Sequence, residues 1–151
     1  MSIERKNFWE AWGQSNALYE VWAAWKNVNS KLLFVLYELD HGDYITQKMI
    51  ADYTGIPKQT VNTVIRGLIA DECVTLTAGK NDRREKLVVL TEKGKKYAKE
   101  VLEPLYALEE RVFAVMGEER VQQMIDTIFL FNTVFEKEMK RGMKENERRE
   151  Q

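Results

Sequence analysis

The sequence predicts a mainly α protein carrying one small β-hairpin, and three observations predict it. Apolar residues recur at intervals of three and four along most of the chain, as in Val61, Val64, Ile65, Leu68 and Ile69. Two β-branched, apolar runs at 73–77 and 86–90 flank the turn-forming stretch Ala78-Gly79-Lys80-Asn81-Asp82. Two prolines in 151 residues leave long helices uninterrupted.

Taken in order, residues 7–28 read as one helix with an aromatic stripe of Phe8, Trp12, Tyr19, Trp22 and Trp25. Ser30 is placed to cap a second helix whose inner face is Leu32, Val35, Leu36 and Leu39, and the breaker cluster Asp40-His41-Gly42-Asp43 ends it. A short helix follows at 45–54, with Thr46 as its cap, Ile45 and Ile50 as a hydrophobic staple, and Gly55 as its stop. Pro57 then opens a helix over about 58–71 whose polar face shows Lys58, Gln59, Asn62, Thr63 and Arg66. Two helices joined by a tight turn have the outline of a helix-turn-helix. The hairpin comes next, and Thr91 caps a long helix with Tyr97, Val101, Leu105, Leu108 and Val112 along one side. Pro104 is expected to kink that helix, and Gly117 to break it. The last helix, 118–141, carries Phe129, Leu130 and Phe131 in succession, more apolar surface than one face can hide, so a second subunit is expected. Residues 142–151 read as a charged, fraying tail.

The formal net charge is −1, yet it is unevenly spread. Residues 58–100 hold ten basic and six acidic groups, a local net of +4, whereas 1–45 hold four and six and 101–151 hold eight and eleven. Such a patch suits a polyanion. A single cysteine excludes an intrachain disulfide and fits a reducing cytoplasm. The start, MSIERKNFWEAW, lacks the apolar stretch of a signal peptide, and no run nears the roughly 18 apolar residues of a membrane span.

Helix-turn-helix followed by a hairpin is a winged helix, an arrangement that gives the adjacent Arg83 and Arg84 a purpose. Guanidinium groups at a wing tip bury nothing in the free protein, but a narrow minor groove draws arginine in. With Lys80 and Lys86 they form one positive edge. The polar helix face, made of Gln, Asn, Thr and Arg instead of the usual Glu/Lys mixture, has the chemistry of base-edge readout in a major groove.

Asp82-x-Arg84, the strand Leu87-Val88-Val89-Leu90 and the helix entry Leu90-Thr91-Glu92-Lys93-Gly94 resemble the wing and helix entry of the MarR family of bacterial transcription regulators. The resemblance implies a winged helix-turn-helix DNA-binding lobe plus a helical dimerisation region drawn from both termini. It implies a transcription regulator that binds a pseudo-palindromic operator as a homodimer, and often a small lipophilic or phenolic effector that releases DNA; a repressor is expected, with activation the alternative. By position, Lys58, Gln59, Thr60, Asn62, Thr63 and Arg66 match the recognition helix. Arg84 matches the wing arginine, Asp82 the acid that orients it, and Lys80, Arg83 and Lys86 stand beside them. The domain plan is then an N-terminal dimerisation helix at 1–29, a DNA-binding lobe at 30–92 with its wing at about 73–90, dimerisation helices at 93–141, and the tail. Two positions depart from the pattern: Pro57 replaces a capping serine, and Glu72 replaces a glycine that ends the recognition helix. If the backbone at Glu72 is left-handed, that replacement costs about 1 kcal/mol.

Other signals have plainer readings. Trp9, Trp12, Tyr19 and Trp22, with Trp25, line either an effector pocket or the core of a dimer. Cys73, opening a strand, reads as a buried structural thiol, and His41 as the end of a helix. No spacing suits a metal, no cofactor is implied, and no phosphate loop, nucleophile elbow or Ser/Cys relay marks an enzyme. The alternative function is a winged helix that binds protein partners without an operator.

Overall fold

The computed structural model describes residues 4–79 and 84–149, which divide into two compact units meeting at Leu105 and Tyr106. The first unit begins with α1 (Arg5–Trp25), α2 (Ser30–His41), α3 (Gln47–Thr54) and α4 (Lys58–Ala70). Strands β1 (Val74–Ala78) and β2 (Lys86–Leu90) follow, and then the first half of α5 (Glu92–Met116). The second unit holds the rest of α5 and α6 (Glu118–Arg149). This is the winged-helix arrangement expected.

Its core is apolar throughout: Leu33, Leu36, Ile50, Val61, Ile65, Val74, Leu102 and Leu105 are almost wholly buried, and no polar side chain is buried among the described residues. Each such burial contributes roughly 1.5–3 kcal/mol. Val61, Ile65 and Leu68 fix α4 from beneath, so its opposite face must meet solvent or a partner. Ile69, at the margin of the predicted stripe, is 38% exposed.

Local chemistry sets the helix ends. Asn29, not Ser30, caps α2: its side-chain oxygen accepts from Lys31 N–H at 2.9 Å and Leu32 N–H at 3.1 Å, leaving Ser30 as the first helical residue. Thr46 caps α3 by accepting from Met49 N–H, and Gly55 ends it in the left-handed region at φ 70°. Helices α1 and α4 close with the same double hydrogen bond. Asn27 N–H reaches Ala24 O and Val28 N–H reaches Ala23 O, while Glu72 N–H reaches Ile69 O and Cys73 N–H reaches Leu68 O. That motif needs a left-handed residue after the helix, usually glycine. Here Asn27 (φ 55°) and Glu72 (φ 58°) supply it. Asparagine tolerates the conformation, whereas glutamate carries its steric cost. Glu72→Gly is therefore expected to stabilise the fold by roughly 0.5–1 kcal/mol, read as a higher midpoint in urea with an unchanged slope.

The hairpin pairs Val74 with Leu90 through Ala78 with Lys86. A third extended segment joins it: Val88 N–H donates to Ile45 O at 2.8 Å, and Thr46 bridges Leu87, so the loop before α3 holds the inner edge of the wing. Thr91 ties the wing to α5. Its hydroxyl donates to Glu72 O at 2.7 Å and accepts from Gly94 N–H at 3.0 Å, while its own N–H donates to Cys73 O.

Three expectations are corrected. The buried face of α5 within the first unit is Gly94, Ala98, Leu102 and Leu105, with Tyr97 and Val101 half-buried; in the second unit Leu108 is half-buried and Val112 exposed. Helix α1 ends at Trp25 because Asn27 turns the chain there. Helix α6 runs past residue 141 into the segment expected to fray, to Arg149. The side chains explain it: Arg141 pairs with Glu138 at 3.1 Å and Glu145 at 3.7 Å, and Lys140 pairs with Glu136, one turn apart.

Glu38 on α2 is half-buried, and burial raises its carboxyl above the usual range, with His41 opposing. A carboxylate whose folded-state pKa is raised favours folding at low pH and opposes it once ionised. Glu38→Gln is thus expected to raise the melting temperature at pH 7, with the gain shrinking as the pH falls through the raised folded-state pKa and gone below about 4.3, the ordinary glutamate pKa.

Candidate nucleic-acid interface

On α4, Lys58, Gln59, Asn62, Thr63 and Arg66 are exposed and Thr60 is half-buried, with Val61 and Ile65 turned into the core between them. Pro57 stands at the N-cap position without a side-chain hydrogen bond to the helix, so the first-turn N–H groups remain for an external acceptor such as phosphate. The Thr63 hydroxyl donates to Gln59 O within the helix at 3.0 Å, which leaves its oxygen as an acceptor.

Two residues outside the predicted set join this face. Gln47 and Lys48, in the first turn of α3, line a shallow groove with Lys58, Gln59 and Asn62. Asn62 Nδ2 donates to Gln47 Oε1 at 3.2 Å. The Lys48 amine pairs with Asp52 at 2.8 Å, which raises the lysine pKa and lowers the aspartate's. The Thr46 cap puts Gln47 in the first turn of α3, but no local signal in the sequence turns it toward α4.

At the wing, Gly79 N–H donates to Glu85 O at 3.0 Å and closes the ladder below the tip. Arg84 and Lys86 are exposed on the returning side. Lys80, Asp82 and Arg83 lie outside the described residues. Tyr44 donates to the Glu85 carboxylate, so the α2–α3 loop braces the base of the wing through a contact spanning 41 residues of sequence. That tether was invisible to pattern reading.

The aromatic group of α1 does not share one environment. Trp22 is buried and Tyr19 half-buried, its ring edge-on to Phe34 at 6.4 Å, while Trp9 is 74% exposed and Trp12, stacked on Phe8, is 40% exposed. Cys73 is buried with its thiol directed at Asp71 O, and His41 ends α2 stacked on Tyr37 with Nδ1 at 2.9 Å from Tyr37 O. Among the described residues no cluster of three acidic, His or Cys side chains could hold a metal, and no helix is long and apolar enough to cross a membrane.

Comparison with known proteins agrees with this geometry. A family model described as the MarR family matches residues 32–85, from α2 to the returning side of the wing. The structure of a MarR family regulator from Neisseria meningitidis superposes with a TM-score of 0.80 at 28% identity, covering 93% of this chain and 99% of that one. NadR in complex with 4-hydroxyphenylacetate superposes with a TM-score of 0.70 at 15% identity, covering 87% of this chain and 93% of that one. CouR from Rhodococcus jostii, bound to p-coumaroyl-CoA, gives 0.65 at 20% identity, covering 83% and 90%. No match was found among the curated proteins. The matched helix-turn-helix and wing, the near full-length structural likeness, and the wing motif ending in Thr91 and Gly94 agree with one another: the segment from α2 to the wing is similar to the MarR family, and the chain has the winged-helix fold of MarR family regulators.

Proposed function

We propose that the protein represses transcription as a homodimer on a two-fold operator, with α4 of each subunit in a major groove and each wing in the flanking minor groove. The observation that carries this reading is the face of α4. Lys58, Gln59, Asn62, Thr63 and Arg66 stand in the open on a helix whose other side is anchored by Val61, Ile65 and Leu68. Such a helix presents base-reading groups at fixed positions. Two copies would sit on half-sites about 34 Å apart. Lys80 and Lys86 take phosphates, and Arg84, oriented by Asp82 and supported by Arg83, enters the minor groove. Protein of this kind works where the chromosome is, in the cytoplasm, and binds DNA instead of catalysing a reaction.

Support for the dimer comes from apolar surface in each unit. Trp9, Leu18, Val21 and Trp25 on α1, and Phe129, Leu130 and Phe135 on α6, are each at least 60% exposed. Side chains of this size in such number mark a surface that a partner covers. Ligands bound to NadR and CouR support a small-molecule effector here too. We place it near Trp9, Trp12, Tyr19 and Trp22, where a second subunit is needed to enclose it. A ligand shifts DNA affinity only as far as it binds the two conformations unequally.

The test is DNA binding as a function of salt. Wild-type affinity should fall steeply between about 50 and 200 mM salt, because phosphate contacts release counterions. Arg84→Ala should weaken binding with the fold intact, and Gln59→Ala should relax preference at single base positions by about 1–3 kcal/mol. Salt-independent behaviour, or wild-type affinity in Arg84→Ala, would contradict the proposal.

A further inference from the structure

We infer that Gln47, on α3, is a specificity-determining residue that orients Asn62 of the recognition helix to read adenine; this rests on the operator reading above. Gln47 is the first residue of α3, directly after the cap in which Thr46 accepts from Met49 N–H at 3.2 Å, so its backbone position is fixed. Its side chain is half-buried, and its Oε1 accepts from Asn62 Nδ2 at 3.2 Å across the turn. Asn62 is exposed on the face of α4 that carries Lys58, Gln59 and Arg66.

An unheld amide can rotate and present its oxygen and nitrogen in either order. Adenine's major-groove edge offers one acceptor, N7, and one donor, the N6 amine, so reading it requires one N–H and one oxygen in a defined order. Asn62 has two N–H groups and Oδ1. With one N–H held by Gln47, it retains one donor and one acceptor, the complement of adenine. Guanine, which offers two acceptors at N7 and O6, leaves Oδ1 facing an acceptor and is rejected. Because the pair forms before DNA arrives, less side-chain freedom is lost on binding. Gln47 is thus a positioning residue, acting on the base through Asn62.

The experiment measures relative affinity for all four base pairs at each operator position, using purified full-length dimers with wild-type, Asn62→Ala, Gln47→Ala, Gln47→Glu and double Ala substitutions. Thermal melting is recorded in parallel. Wild type should prefer adenine by roughly tenfold over guanine at the one position whose profile Asn62→Ala changes. Gln47→Ala should flatten that same position and no other, and adding Asn62→Ala should change nothing further. Gln47→Glu keeps the acceptor oxygen, so adenine preference should persist while affinity for every sequence falls with the added charge. Additive effects of Gln47→Ala and Asn62→Ala overturn the inference but leave the operator reading standing. So does a uniform loss of affinity in Gln47→Ala with all base preferences kept. A folded wild-type dimer that prefers no sequence overturns the operator reading itself, and the role of Gln47 with it.

Discussion

Phe135→Asp is expected to convert the proposed dimer to monomer at micromolar concentration and to weaken binding to the proposed operator by roughly 10²–10⁴-fold. Phe135 is 60% exposed in the single chain, within the run Met124, Ile125, Ile128, Phe131, Phe135 and Met139, spaced by one, three or four residues along α6. Its ring packs on Phe131, with centroids 5.6 Å apart. A carboxylate there cannot be desolvated against a partner's apolar surface without a charge to meet it, so association is lost. DNA binding falls with it, because the second half-site contact then ceases to be intramolecular. Sedimentation equilibrium, paired with a DNA titration, reads both effects. A Phe135→Asp dimer with wild-type affinity would mean that this face of α6 is not the interface.

Gly94→Ala is expected to destabilise the DNA-binding lobe by at least about 1–3 kcal/mol. A Cβ at Gly94 would lie 1.8 Å from the carbonyl oxygen of Cys73 and 2.7 Å from its carbon, both backbone atoms that no rotamer change can move aside. That carbonyl also accepts from Thr91 N–H, and the Thr91 hydroxyl holds Glu72 O, so displacing Cys73 disturbs the junction of α4, the wing and α5 together. Urea unfolding checks the loss. Arg84→Ala, at an exposed position on the wing, should unfold close to the wild-type midpoint. Wild-type stability in Gly94→Ala would contradict the requirement for close approach.

Much of the lobe was legible because its determinants are local. As helix caps and stops, Thr46, Gly55 and Thr91 act within three or four residues of their own positions, and the stripe Val61-Ile65-Leu68 repeats at the helical period. The cost of a left-handed Glu72 could be stated conditionally from sequence, and its φ of 58° meets the condition. What pattern reading missed depends on choices between equivalent neighbours or on distant contacts. Asn29 and Ser30 are both able to cap α2, and geometry selects Asn29. In α5, several apolar rows compete, and the lobe buries Ala98 and Leu102 while Val101 is only half-buried. The links from Gln47 to Asn62 and from Tyr44 to Glu85 span 15 and 41 residues, separations that leave no periodic trace. At the predicted site, the face of α4 is exposed as expected, and Gln47 and Lys48 enlarge it.

Selection of bound duplexes from a random pool by the purified protein, with Arg84→Ala in parallel, tests operator binding most directly. The account predicts enrichment of a two-fold palindrome with half-site centres about one helical turn apart, weakened or lost in the mutant. A folded wild-type dimer that enriches no sequence at low salt would contradict it.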